Sequence, residues 1–293
     1  MSVKKLIVNS DNENRRLDNF LFSKFKNIPK SKLYNIIRKG ELRVNSARKK
    51  PSYKLSIDDE IRIPPNIYSN DKSKKLISDE HKAFIKKKIL FENKNYIIIN
   101  KPNNLSVHGG SKINFGVINI IKDSYSDEYD LCHRLDKETS GCLVIGKNKK
   151  AVKNFQNQIS NKKIKKIYYA ILKGHLNKTL EVDKPIIENK KEKTAFSRFS
   201  VIKKLNKTSL VKIEISTGRT HQIRIHAHKV GFPILFDKKY GDKEFNNLIS
   251  KSIKKSKIAL HAKSIKFEDI DKSKISVTAS NSDNLEYILK ELS

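Results

Sequence analysis

The chain has 293 residues, of which 37% are hydrophobic and 32% charged, and its formal net charge is +32. That is enough chain for one large or two ordinary domains with a substantial core, and it is too apolar to be disordered throughout. So positive a balance points to a polyanionic partner, nucleic acid before a membrane surface, because neutralising phosphates releases counterions.

Residues 16–22 and 29–38 carry apolar residues at helical spacing, and Leu33, Ile36 and Ile37 share one face of the second helix. Gly40 ends that helix as a C-terminal glycine does. Residues 41–45 and 60–63 then alternate charged and apolar side chains like half-buried strands. This arrangement gathers Lys30, Lys32, Arg38 and Arg43 with Tyr34, and such a cluster on one small module is the usual electrostatic footprint of RNA binding. Lysine covers most of this chain's surface, yet arginine is kept here at Arg15, Arg16, Arg38, Arg43, Arg48 and Arg62. A guanidinium supplies a planar fork and a stacking face that lysine lacks. From Ile67 to Lys88 the chain turns Ser-, Asp- and Lys-rich, which predicts a flexible linker. The expected domains are therefore 1–66, a linker over 67–88, and 89–293.

The second domain opens with a strand pair, residues 89–92 and 96–100. A turn follows at Lys101-Pro102-Asn103-Asn104, then a loop through His108-Gly109-Gly110. Beyond the polar run 123–127 comes His133-Arg134-Leu135-Asp136-Lys137-Glu138-Thr139-Ser140-Gly141, a loop backed by the buried strand Cys142-Leu143-Val144-Ile145. A loop held against a rigid strand is a common seat for reactive groups. Asp136 has cations beside it in sequence, which favour an ionised carboxylate able to act as base or nucleophile. The competing reading is that Asp136 caps the following turn with its side chain. Cys132 and Cys142 read as packing residues, free thiols being ordinary in a cytosolic chain.

A helix is expected over 149–160, a strand over 167–172 containing Tyr168, and a second polar constellation at Ser216-Thr217-Gly218-Arg219-Thr220-His221-Gln222-Ile223-Arg224-Ile225-His226. His221, His226 and His228 invite a metal reading, and a metal-dependent nuclease using His221, His226 and Asp136 is the corresponding activity. No acidic or thiol ligand accompanies them in this segment, so no metal is expected. Residues 258–262 and 275–277 read as strands and 285–290 as a terminal helix. No run is apolar for long enough to span a membrane, and the first nine residues turn polar too soon for a signal peptide, which makes a cytoplasmic location the expectation.

The segment 133–141 resembles the His-Arg-Leu-Asp-x-x-Thr-Ser-Gly signature of the RluA-type pseudouridine synthases, which isomerise uridine in RNA. Lys166-x-Tyr168-x-Ala170 and Thr217-Gly218-Arg219-Thr220-His221-Gln222-Ile223-Arg224 resemble two further motifs of that family. The turn at Lys101-Pro102 resembles its first motif, with Asn104 where glycine is usual. Residues 15–63 resemble the S4 RNA-binding domain, with Asp58-Asp59 in place of the common Gly-Asp. The resemblance implies an α+β chain: a small S4 domain followed by a catalytic domain on a largely antiparallel mixed sheet. It implies Asp136 as catalytic residue, Tyr168 against the flipped base, and Arg224 paired with Asp136, leaving Arg219 for phosphate or loop backbone. His133, Arg134, Leu135, His221 and Lys101 are expected at the substrate, Arg134 filling the gap left by the base and Lys101 shaping the substrate loop. Lys30, Lys32, Arg38 and Arg43 are also expected to bind the RNA substrate. The likeness to members that act on the large ribosomal subunit implies 23S ribosomal RNA, or a large-subunit precursor particle, as partner of a monomeric protein. No cofactor is implied, since the reaction is an isomerisation, and the chain has neither P-loop nor dinucleotide fingerprint. The alternative is a noncatalytic RNA-binding assembly factor on the same fold.

Overall fold

The computed structural model describes residues 4–25, 28–67, 77–109, 115–188, 191–254 and 256–293, and the chain divides into two units, Met1–Leu76 and Ile77–Ser293. In the first unit, β1 (Lys4–Ile7), α1 (Leu17–Lys24), α2 (Lys30–Lys39), β2 (Arg43–Val44) and β3 (Glu60–Ile63) follow one another. The strands form an antiparallel sheet in the order β1-β3-β2. Leu33, Ile36 and Ile37 of α2 are buried with Leu17, Phe20 and Leu21 of α1, as their spacing requires. Gly40 caps α2 in the left-handed region (φ 72°), a conformation that costs glycine little. Asp58 adopts the same region (φ 66°) where a glycine is common. Its neighbour Asp59 is buried and accepts hydrogen bonds from Asn45 and the Ser56 amide.

The second unit begins with a correction to the expected linker, since α3 (Asp79–Lys86) lies inside it. Ser78 accepts from the His81 amide, Asp79 and Glu80 sit at the positive end of the helix, and Ile85 is buried, so a polar stretch folds once capped and anchored. Residues 68–76 of that stretch, and Gly110 of the loop after Pro102, lie outside the described residues.

Then come β4 (Ile89–Glu92), β5 (Tyr96–Lys101), α4 (Val117–Ser124), β6 (Asp130–Leu131), β7 (Ser140–Gly146), α5 (Lys149–Ser160), β8 (Lys165–Lys173), β9 (Leu180–Asp183), the hairpin β10 (Ile186–Glu188) and β11 (Lys191–Lys193), β12 (Phe196–Leu205), β13 (Thr208–Ile215), α6 (Gln222–Lys229), α7 (Lys243–Ile249), β14 (Leu260–Glu268), β15 (Lys274–Thr278) and α8 (Asp283–Leu292). Among the described residues they build a ten-stranded sheet in the order β4-β5-β7-β14-β8-β13-β12-β9, with β15 on β14 and β6 on β7. Every pairing is antiparallel except β7 with β14. This is the largely antiparallel mixed sheet expected of the fold.

The central strands are apolar on both faces because both faces are covered. Ile97, Ile99, Leu143 and Ile145 enter one core with α4 and α8, while the alternating Tyr96, Ile98, Cys142 and Val144 enter another with Ala151 and Phe155 of α5. The parallel pairing brings β14 so close to β7 that a Cβ on Gly141 (φ 107°) would meet the Ala262 carbonyl oxygen at 2.2 Å. Only glycine fits there, at the point where the loop 133–139 enters its strand.

Candidate active site

The loop between β6 and β7 is held from below. Lys101, at the end of β5, is completely buried, and its ammonium donates to the carbonyls of Pro102 (2.9 Å), Leu105 (2.9 Å) and Lys137 (3.1 Å). Three donors meet three acceptors. Burial pushes this ammonium down to about 7, with the charge of Asp136 pulling the other way. Asn103 adds a bond to the Glu138 carbonyl (2.7 Å), and Asn104 closes the turn in the left-handed region (φ 64°), as asparagine can. The expectation of Lys101 at the substrate is therefore corrected: it clamps the loop from inside, because an ammonium saturated by buried carbonyls has no donor to offer.

His133 is corrected likewise. Its Nε2 accepts the Val144 amide (3.1 Å) and its ring stacks on Phe155 with centroids 5.6 Å apart, so it faces the α5 side of the sheet. Burial, with the charge of Lys166 nearby, holds the imidazole neutral at about 3, as an acceptor must be.

Asp136 points the other way. The Thr139 amide bonds to its main-chain carbonyl (3.1 Å), and among the described residues its carboxylate makes no hydrogen bond within the turn. The side chain instead lines a pocket with Arg134, Leu135, Tyr168, Arg219, His221 and Arg224. Arg224 Nη1 lies 3.5 Å and His221 Nε2 3.8 Å from Asp136 Oδ2. Arg224 is 4% exposed, and its other edge is taken by Asp237 in a bidentate pair of 2.7 and 2.8 Å. Asp237 also accepts the amides of Lys239 and Tyr240. Burial would raise the Asp237 carboxyl, but Arg224 and those amides outweigh it and hold it below the usual carboxylate range. Tyr240 lies over the Arg224 guanidinium (5.3 Å), and its hydroxyl is 3.2 Å from His221 Nδ1.

The segment 217–221 forms the far wall. Gln222 is buried and organises it: Oε1 accepts from the Thr217 hydroxyl (2.7 Å) and the Arg219 amide (3.0 Å), and Nε2 donates to the Phe196 carbonyl (2.8 Å). Glu188, on the hairpin, accepts the Thr220 amide (2.6 Å), and that amide first, with the Thr220 hydroxyl and Lys193, draws its carboxyl down to about 2. His221 begins α6 in the left-handed region (φ 56°), which turns its ring toward Asp136. Burial lowers the His221 pKa, opposed by Asp136. Its neighbour His226 faces elsewhere, with both ring nitrogens engaged by Ser197 and the Lys184 carbonyl. Tyr168 projects from β8 into the pocket, and burial followed by the Asp136 charge raises its phenol, which therefore stays protonated.

Of the two arginines, Arg224 approaches Asp136, while Arg219 bonds the Thr194 carbonyl through Nε (3.1 Å). Leu135 is buried in the pocket wall and Arg134 is exposed at its edge. Sequence reasoning missed Asp237, Tyr240, Gln222 and Glu188. The available signal was two buried-type motif residues, Arg224 and Asp136, carrying one positive and one negative charge but leaving the second edge of the guanidinium unpaired.

On the first unit, Lys30 lies over the Phe22 ring (4.9 Å), Lys32 donates to the Ile67 carbonyl, and Arg38 donates to Asn35. Arg43 donates to the carbonyls of Gly40 and Ser46. Tyr34, expected among the cations, donates its hydroxyl to Asp18, which Arg16 also holds (2.7 Å).

The RNA pseudouridylate synthase family profile matches residues 95–229, and that of the S4 domain matches residues 15–61. Ribosomal large subunit pseudouridine synthase C of Buchnera aphidicola subsp. Schizaphis graminum is 40% identical over 281 residues, covering 91% of this chain and 90% of its own. The protein of the same name from Escherichia coli (strain K12) is 36% identical over 284 residues, covering 91% and 89%. Among solved structures, human RNA pseudouridylate synthase domain containing 4 superposes with a TM-score of 0.62 at 22% identity, over 72% of this chain and 95% of that one. The last comparison speaks for the fold.

Proposed function

The chain belongs to the RNA pseudouridylate synthase family and carries an S4 domain, and from that premise we propose that it isomerises specific uridines of 23S ribosomal RNA to pseudouridine with Asp136 as the catalytic residue. The observation that carries the assignment is the Asp136 carboxylate, turned into the pocket and faced by Arg224 at 3.5 Å, itself locked by Asp237. A guanidinium so placed holds the carboxylate toward the pocket, where it can act as nucleophile or base.

A uracil within paired RNA must leave the stack before its glycosidic bond can be exchanged, at a cost of a few kcal/mol. Arg134, exposed at the pocket edge, stacks in the gap. In the pocket the N1–C1′ bond breaks, the uracil turns, and C5 joins C1′. The hydrogen lost from C5 is balanced by the one gained at N1, so no redox partner or group donor enters. Tyr168, a buried neutral phenol, packs on the base and has a proton to share. Arg224 holds Asp136 in orientation, and Asp237 holds Arg224. The cations of the first unit bind RNA. Among the described residues no helix is long and apolar enough to cross a membrane. We assign the protein to the cytoplasm as a monomer acting on 23S RNA or its precursor particle.

The test is incubation with unmodified 23S transcript, and with particles from cells lacking the enzyme, followed by carbodiimide-dependent primer-extension mapping of pseudouridine. New stops with the wild type and none with Asp136→Asn are expected. Stops of full intensity with Asp136→Asn would refute the catalytic role, and RNA binding without stops on either substrate would leave a noncatalytic binder.

A further inference from the structure

Two lysines of the catalytic unit are buried beside the pocket, and they differ in what surrounds the ammonium. Lys101 has three carbonyl acceptors. Lys166, on β8 two residues before Tyr168 and therefore on the same sheet face, is 8% exposed and, among the described residues, donates to the Thr217 carbonyl alone (3.1 Å). Among the described residues no carboxylate lies within ion-pair distance of it. Its charged neighbour is another cation, Arg219. A buried charge with one neutral acceptor and a like charge beside it is an expensive arrangement, and proteins keep such charges where a counter-charge arrives.

The ammonium lies next to one glycine of the pocket wall, Gly218, which is exposed. A Cβ there would sit 3.5 Å from Lys166 Nζ, an ordinary contact that any side chain could make but that would cover the ammonium. The Gly218 backbone is not in the left-handed region, so no conformational demand for glycine arises here, and what its missing side chain leaves is space beside the ammonium. Arg219 uses Nε on the Thr194 carbonyl, and among the described residues its two terminal nitrogens have no partner. Both cations therefore have donors without a partner among the described residues, close to the exposed Gly218 of the pocket wall.

We propose that Lys166 and Arg219 together hold one phosphodiester of the RNA strand at the rim of the pocket, over Gly218 and next to the nucleotide that enters beside Asp136. This rests on the RNA-modifying reading above and adds a contact to it: a phosphate fixed here sets how far the flipped nucleotide can travel toward the carboxylate. Burial first and Arg219 second push the Lys166 ammonium down to about 8, which leaves it mostly charged at neutral pH and favours the arrival of an anion.

The experiment compares wild type with Lys166→Met and Gly218→Ala in three measurements: thermal unfolding of the RNA-free protein, binding of 23S transcript at several KCl concentrations, and kcat and KM for pseudouridine formation. Loss of one charge-assisted contact should raise Kd and KM roughly tenfold for Lys166→Met, more than it lowers kcat, and make the salt dependence shallower by about one phosphate contact. The RNA-free Lys166→Met protein should melt no lower than wild type, because the substitution removes an uncompensated buried charge. Gly218→Ala should weaken binding in the wild-type background and add little to Lys166→Met. A Lys166→Met protein that melts lower while keeping wild-type affinity makes Lys166 a structural residue and overturns the proposal. Sodium sulfate serves as a free-anion probe: stabilisation of wild type alone by sulfate, with RNA affinity unmoved by the substitution, identifies a free-oxyanion site and also overturns it. The binding measurement needs no turnover, so an inactive wild type would defeat the isomerase reading and leave the phosphate contact separately decided.

Discussion

The loop around Asp136 and the turn around Asp237 reach the same guanidinium and are held to it differently. Asp237 is 2% exposed, takes two short bonds from Arg224 and two more from backbone amides. Asp136 stands 3.5 Å away with a partly open side chain. A carboxylate whose lone pairs are filled by fixed donors is a scaffold, while one left with incomplete hydrogen bonding keeps lone pairs for a reacting centre. The difference fits Asp237 to orientation and Asp136 to the catalytic role proposed for it, although both touch the same arginine.

The largest effect should come from Asp136→Asn, which keeps the shape and removes the charge: single-turnover pseudouridine formation should fall at least about a thousandfold with an unchanged melting temperature, as for loss of a reacting group. If activity and stability fell together, the contrast between the two aspartates would collapse. Asp237→Asn should behave in the opposite sense, losing about 3 kcal/mol in denaturant unfolding because it takes from buried Arg224 its hydrogen-bonded counter-charge and leaves only the longer contacts to Asp136 and Glu138, each at 3.5 Å. Its pH dependence sharpens the point. The folded-state pKa of Asp237 is lowered, so its stabilisation is complete above its unfolded pKa of about 3.9 and is lost as pH falls through the lower folded value. The stability gap between wild type and Asp237→Asn should therefore close in acid, and a gap independent of pH would contradict the ion-pair account.

Lys101→Met tests whether the loop carrying Asp136 depends on its own scaffold. Stranding buried carbonyls should cost about 1–3 kcal/mol and reduce kcat more than it raises KM. The smallest effect is expected for Tyr240→Phe, which keeps the ring over Arg224 and removes the hydroxyl at His221: about 0.5–1.5 kcal/mol in stability, with at most a modest fall in kcat. A large kcat loss there would move His221 from the wall of the site into its chemistry.

Local signals were enough for the elements that hydrophobic periodicity marks. The helix read over 149–160 is α5, the strand around Tyr168 is β8, and Gly40 caps α2, because each of these is decided by residues within one or two turns of one another. Helices α3 and α4 were less legible: one sits in a polar stretch that needs Ser78 and the burial of Ile85, and the other ends in the run 123–127 that looks like a turn. At the site, motif spacing singled out Asp136, Tyr168 and Arg224, which the fold brings to one pocket, and brought out the family. It could not tell that Lys101 and His133, from the same motifs, face inward, since one residue of register or one carbonyl's position decides which side of a strand or loop a side chain occupies. Nor could it pair Arg224 with Asp237, thirteen residues on, or set Lys166 under Gly218 from another strand. The sequence alone determined the fold class and the S4 and catalytic parts through motifs that resemble the family, because each motif is a short contiguous pattern that can be read before the chain folds. Only the tertiary structure decided which charges are satisfied and which are left open, because a charge's partners are set by what the folded chain brings within about 4 Å, where Coulomb energy and desolvation are largest.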